Sequence, residues 1–177
     1  MEPTAKVVYA ASAGNWIMRH EPEIWARTAK YVMLPTYLNY KLTGNLIDSA
    51  SNQIGHIPFD YKNRRWMKPG SLTRCFCDVP NEKLCDLVPS GTVIGTVTEE
   101  VCALTGIPAG LPLISTGSDN GCETLGLAVV DSDKASISLG TTATIQFSTT
   151  QYVEPQQFLP AYPGVLNDHY NPEIEIY

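Results

Sequence analysis

Charge is scarce in this chain: Asp, Glu, Lys and Arg make up 17% of its 177 residues, against about 25% in an average soluble protein. Part of its surface is therefore expected to lie against further protein. Basic residues are the scarcer kind, 12 Lys and Arg against 18 Asp and Glu. The resulting net charge of −6 provides no field for gathering a phosphate backbone, which disfavours nucleic-acid binding. No run of 18 apolar residues occurs, and Met1-Glu2-Pro3-Thr4 opens neither a basic nor an apolar leader. Neither a membrane span nor a secretory signal is read, so a cytoplasmic setting is expected. The five cysteines, at 75, 77, 85, 102 and 122, lack paired CxxC spacing and read as reduced thiols. His20, His56 and His169 are too scattered to suggest a metal centre. Two common phosphate signatures, GxxxxGK[ST] and a GxGxxG after a strand, are missing, and there is no internal repeat.

What is present suffices for about one domain: hydrophobic residues reach 44%, above the range of disordered chains. Pro22 to Gly44 reads as helical, with Ile24, Trp25, Thr28, Ala29, Val32 and Met33 at three-to-four spacing. Pro35 either kinks that helix or opens a second one that stops at Gly44. Tyr31, Tyr37 and Tyr40 read as core or domain packing. From Asn45 to Gly91 the punctuation by Pro58, Pro69-Gly70, Pro80 and Pro89 predicts short helices and turns. The run Lys62-Asn63-Arg64-Arg65 reads as a solvated face.

The last third is more regular. Thr92 to Val97 reads as a strand, and Thr98 as the cap of a helix that has Glu99 and Glu100 in its first turn and stops at Gly106. Leu111 to Thr116 reads as a strand covered on both faces, breaking at Gly117-Ser118-Asp119-Asn120-Gly121 into a helix through Val129. Ala135 to Leu139 and Ala143 to Phe147 read as strands around Gly140-Thr141-Thr142, and Pro172 to Tyr177 as a strand that stops at the chain terminus. An ending of that kind suggests a truncation. Strands and helices in alternation, with glycine-rich breaks at strand ends, predict an α/β fold with its site along those ends.

Two breaks are candidates for chemistry, because backbone amides exposed at such turns bind phosphates and hydroxyls. At the first, Asp119 could take a proton from a substrate hydroxyl; equally, Ser118, Asp119 or Asn120 could simply cap the helix. At the second, Gly140, Thr141 and Thr142 could hold a phosphoryl group or form an ordinary β-turn.

Six separated strings narrow the choice: Pro22-Glu23-Ile24-Trp25-Ala26, Val32-Met33-Leu34-Pro35 with Tyr37 to Gly44, Val88-Pro89-Ser90-Gly91-Thr92-Val93-Ile94-Gly95, Leu104 to Gly110, Gly117-Ser118-Asp119-Asn120, and Ser138-Leu139-Gly140-Thr141-Thr142. In order and spacing, over about residues 10 to 150, they resemble the FGGY carbohydrate kinases, and most of all the xylulokinase-like members. The resemblance implies part of an actin-like, ribonuclease-H-like fold, with residues 1–177 as an incomplete N-terminal, sugar-binding domain lacking its C-terminal adenosine-binding partner. It implies ATP-dependent phosphorylation of a hydroxyl of a pentulose or related polyol, with Asp119 as catalytic base and Asn120 on a sugar hydroxyl. It places Gly140 and Thr141 on the ATP phosphates, helped by Thr142, and Mg²⁺ arriving with ATP. The sugar, ATP and the remainder of the kinase chain are the implied partners. Two positions depart from the pattern: Ala13 stands where a Lys precedes Trp16 by three residues, and Ile47-Asp48-Ser49-Ala50-Ser51 keeps only the Asp of Thr-Asp-Tyr-Ser-Asn. The family's opening Asp-x-Gly-Thr loop is not represented. The rival reading is a non-catalytic sugar-binding or interaction module that has lost the nucleotide half.

Overall fold

The computed structural model describes residues 12–55, 57–71, 74, 76–140, 143–154 and 160–176. Helix α1 (Ala13–His20) starts at Ser12, whose side chain accepts the Asn15 N–H, and α2 (Pro22–Arg27) carries its proline in the first turn, where no N–H is missed. The single helical stretch expected from Pro22 does not continue. The Tyr31 N–H donates instead to the Lys83 carbonyl at 2.7 Å, holding residues 28–33 outside any helix. Pro35 then lies in the first turn of α3 (Leu34–Thr43), which ends at Gly44 with φ +81°, a left-handed position that suits a residue without Cβ. Of the three tyrosines, Tyr31 packs into the core, while Tyr37 and Tyr40 are exposed.

Strand β1 (Ile47–Ser49) is followed by a 3-10 turn (Ala50–Asn52), the short hairpin β2 (Phe59–Asp60) and β3 (Arg65–Trp66), and a second 3-10 turn (Asn81–Lys83). The chain then returns as β4 (Asp86–Val88), parallel to β1. Two small cores form here, Ala50, Ile57 and Phe59 in one and Cys77, Val79 and Leu84 in the other; Trp66 touches both and donates its indole N–H to the Cys85 carbonyl at 2.8 Å. Burial pushes the Cys85 thiol up to about 11 and raises that of Cys77, so both are poor nucleophiles.

Strand β5 (Val93–Thr96), helix α4 (Glu99–Thr105) and β6 (Pro112–Ile114) follow the expected order, and Thr98 caps α4 by accepting the Val101 N–H at 3.3 Å. Among the described residues β6 pairs only with β5, antiparallel. Ile114 on it and Leu111 just before it are exposed, so the expected strand covered on both faces is a short, half-open one. After helix α5 (Asp119–Gly126), which stops before the expected Val129, β7 (Ser136–Leu139) and β8 (Ala143–Gln146) form an antiparallel hairpin. The small pair β9 (Tyr162–Pro163) and β10 (Tyr170–Asn171) precedes β11 (Glu173–Ile176), which adds to β8 on the side away from β7.

This three-stranded sheet inverts the usual pattern. Ile137, Ile145 and Ile174 lie opposite one another across the strands and are exposed at 64%, 41% and 49%. The neighbouring rung, Ser136, Gln146 and Glu173, points the other way, and Gln146 and Glu173 on it are buried. A polar face packs on α5 and an apolar face looks outward.

Candidate active site

The break after β6 is held by three serines. Ser49 Oγ donates to the Thr116 carbonyl. Ser90 Oγ lies 2.9 Å from both that carbonyl and Ser51 Oγ. Ser51 donates its hydroxyl to the Gly164 carbonyl at 2.6 Å and receives the Ser118 N–H on its own carbonyl at 3.0 Å. Small side chains are needed because the segments run close: a Cβ on Gly117 would stand 2.7 Å from Val165 Cγ2 and 3.3 Å from Ser51 Cβ. Asp48, on β1, is buried and accepts from Thr36 Oγ1 at 2.6 Å, Asn52 Nδ2 at 3.0 Å and the Ser49 N–H at 2.8 Å. Its role here is to tie α3 to β1.

Ser118 is the cap of α5. Its Oγ accepts the Gly121 N–H at 3.1 Å, and Asp119 is the first helical residue. Asp119 is therefore not needed as a cap; its exposed carboxylate accepts the Asn120 N–H through Oδ1 at 2.9 Å and lies at the positive end of the helix dipole. Asn120 faces the other way. Its Nδ2 donates to Glu173, 3.2 Å from Oε1 and 3.4 Å from Oε2.

Glu173 is 7% exposed. Burial, reinforced by the Glu175 carboxyl beside it and by the charge of Asp119, pushes its carboxyl up to about 7, while the Asn120 hydrogen bond pulls it back. Gln146 Nε2 donates to Glu173 Oε2 at 2.9 Å, and Thr124 Oγ1 lies 2.7 Å from Gln146 Oε1 and 2.8 Å from the Asn120 carbonyl. None of Glu173, Gln146 and Thr124 stands in a motif; the period-two alternation of Glu173 to Ile176 marks a strand with two faces but does not say that Glu173 lies on the inner one.

Between α5 and the hairpin lies an open cavity of about 510 Å³, lined by Glu123 and Leu127 on one side and by Ser136, Ser138, Leu139 and Gln146 on the other. Gly140 directly follows Leu139 and is exposed; Thr141 and Thr142 lie outside the described residues. Asp119 and Asn120 are thus brought together at one end of α5, and Gly140 lies at the tip of the hairpin packed beside that helix.

The model of the FGGY family of carbohydrate kinases, N-terminal domain, matches residues 3–126. The chain belongs to this family. Relatives of this FGGY chain include the sugar kinase YgcE of Escherichia coli, 39% identical over 105 residues that cover 59% of the chain and 21% of YgcE. Xylulose kinase of the same organism is 29% identical over 71% of the chain and 25% of its own length. The chain thus spans about a quarter of the length of these relatives or less. Among solved structures, xylulose kinase from Rhodospirillum rubrum superposes with a TM-score of 0.77 over 96% of the chain and 34% of that protein, at 21% identity. Gluconate kinase from Lactobacillus acidophilus gives 0.76 over 89% and 32%, at 22% identity. At such identity the likeness establishes the fold: part of the actin-like, ribonuclease-H-like α/β architecture of FGGY kinases.

Proposed function

We propose that this FGGY chain is part of an ATP-dependent kinase acting on a hydroxyl of a pentulose or a related sugar or polyol, with Asp119 as its catalytic base. The observation that carries this reading is the division of labour at α5: Ser118 caps the helix, so the exposed Asp119 carboxylate is available for chemistry. Phosphoryl transfer has a loose transition state that mainly needs positioning, so the carboxylate has only to orient the hydroxyl and accept its proton late. Asn120 contacts a second sugar hydroxyl: with Nδ2 committed to Glu173, its Oδ1 is left to accept. Gly140, at the hairpin tip, meets the ATP phosphates together with Thr141 and Thr142. Mg²⁺ comes with the nucleotide, held chiefly by its phosphate oxygens.

The remainder of a kinase chain is the partner. Residues 1–177 serve as the incomplete sugar-binding domain, and the outward Ile137, Ile145 and Ile174 face suits cover by further protein rather than water. Free sugar and ATP as substrates fit a cytoplasmic setting, and no helix among the described residues is long and apolar enough to cross a membrane. The test is a coupled ADP-release assay with pentuloses and polyols on a complete kinase chain carrying residues 1–177. Sugar-dependent turnover is expected. Sugar binding without turnover in that chain would favour a non-catalytic sugar-binding module instead.

A further inference from the structure

We propose that Glu173 is the positioning residue of the Asp119–Asn120 turn, acting through the buried hydrogen-bond chain Asn120–Glu173–Gln146–Thr124 that joins β11 and β8 to α5. The inference rests on the kinase reading for its consequence in sugar binding; the chain itself is read from geometry alone. Glu173 grips Asn120 by the side-chain amide, and Thr124 reaches the same residue's carbonyl at 2.8 Å. Asn120 is held from two sides, and the adjoining Asp119 with it.

Counting protons shows which form of the chain is complete. Thr124 has one hydroxyl proton and two close acceptors, Gln146 Oε1 at 2.7 Å and the Asn120 carbonyl at 2.8 Å, with Ser136 Oγ farther off at 3.3 Å and able to donate or accept. While Glu173 is ionised, Gln146 must present Nε2 to it, and one of those two acceptors receives nothing from Thr124. Once Glu173 is protonated, the Gln146 amide can turn over, since its oxygen and nitrogen exchange places by a half-rotation. Glu173 Oε2–H then donates to Gln146 Oε1, Gln146 Nε2 to Thr124 Oγ1, Thr124 to the Asn120 carbonyl, and Asn120 Nδ2 to Glu173 Oε1. Every link has one donor and one acceptor.

The groups facing Glu173 favour that form. Glu175 on β11 hydrogen-bonds to Glu173 and, like Asp119 on α5, disfavours a charge on it; Asn120 and, on β8, Gln146 donate to it, and Ser136 completes the rung on β7. The neutral chain is accordingly the tight form, and it loosens as pH rises through neutrality. Sugar affinity follows, because the residue being released is the one assigned to a sugar hydroxyl. Glu173→Gln keeps the neutral charge and the donor–acceptor pair of the protonated form, with an NH2 in place of the O–H, whereas Glu173→Ala removes the grip.

Two measurements test this. In ¹⁵N-edited NMR spectra of the 177-residue chain, the side-chain amides of Asn120 and Gln146 should shift together with a shared midpoint above the ordinary carboxylate range, and both should be flat in Glu173→Gln. In the complete kinase, Glu173→Ala should raise the sugar KM by about tenfold, the loss of one buried hydrogen bond to a held group, with kcat little changed. Glu173→Gln should keep the low-pH KM at every pH. Amides that do not titrate, or that keep their midpoint in Glu173→Gln, overturn the proposal, as does an equal KM in the two variants. Should Asp119→Asn leave turnover intact, the kinase reading fails separately, and the amide titration then decides on the chain.

Discussion

Replacing Glu173 by glutamine should make the fold more stable at pH 8 and leave it unchanged near pH 4.5. Glu173 is buried, and its carboxyl is pushed from an ordinary 4.5 up to about 7, first by burial and then by Glu175 and Asp119. Between those values the folded chain holds a proton that the unfolded chain has released. Its contribution to stability is therefore complete below pH 4.5, declines as pH rises to about 7, and is gone above it. At about 1.4 kcal/mol per pH unit the decline amounts to about 3 kcal/mol. For a chain of this size that is roughly 6 to 12 °C in Tm. Glutamine makes the same hydrogen bonds as the protonated acid and carries no charge at any pH. Urea unfolding of both proteins at pH 5, 6, 7 and 8 should give curves that diverge upward in pH, the wild type falling and the variant level. Parallel pH profiles would refute the reasoning, because they would mean that Glu173 keeps its charge in the fold.

Four further variants have defined outcomes. Thr141→Val in the complete kinase should lower kcat roughly 10 to 100-fold at unchanged sugar KM, and Gly140→Ala should cost more if the backbone there approaches the phosphates; steady-state kinetics with ATP and sugar varied checks both. Gly117→Ala should destabilise by about 1–3 kcal/mol through the clash of its Cβ with Val165 Cγ2 at 2.7 Å, and Val165→Ala in the same chain should restore most of the loss in thermal unfolding. Asp48→Ala should cost on the order of 3 kcal/mol by chemical denaturation, since it leaves Thr36, Asn52 and the Ser49 N–H without their shared acceptor.

Local signals carried much of the fold. Pro35, Gly44 and Thr98 stand where a helix opens, stops or is capped because those roles depend on the residue itself and its immediate neighbours. The break of the first helical stretch was hidden because it depends on Lys83, 52 residues from Tyr31 in sequence, whose carbonyl takes the Tyr31 N–H. The apolar run of Leu111 to Thr116 misled for a related reason: apolar composition reports that a strand seeks cover, and among the described residues β6 is paired with β5 alone. At the site, the Gly117 to Asn120 break and the Gly140 hairpin were legible as turns. That Ser118 rather than Asp119 caps α5 was not, because all three candidates have capping side chains and only the backbone geometry separates them. Glu173 was invisible as a site residue: alternation gives two faces, and a strand whose Glu173 points inward and whose Ile174 points outward reads the same as its opposite.

The most direct test of the central claim is Asp119→Asn in the complete kinase, with kcat, sugar KM and Tm measured on one preparation. Asparagine keeps the size and the hydrogen bond to the Asn120 N–H but cannot accept the hydroxyl proton. The account predicts kcat lower by on the order of 10² to 10⁴, a sugar KM changed little, and an unaltered Tm, because the cap belongs to Ser118. Undiminished turnover accompanied by a lowered Tm would contradict it and make Asp119 a structural residue of the helix start.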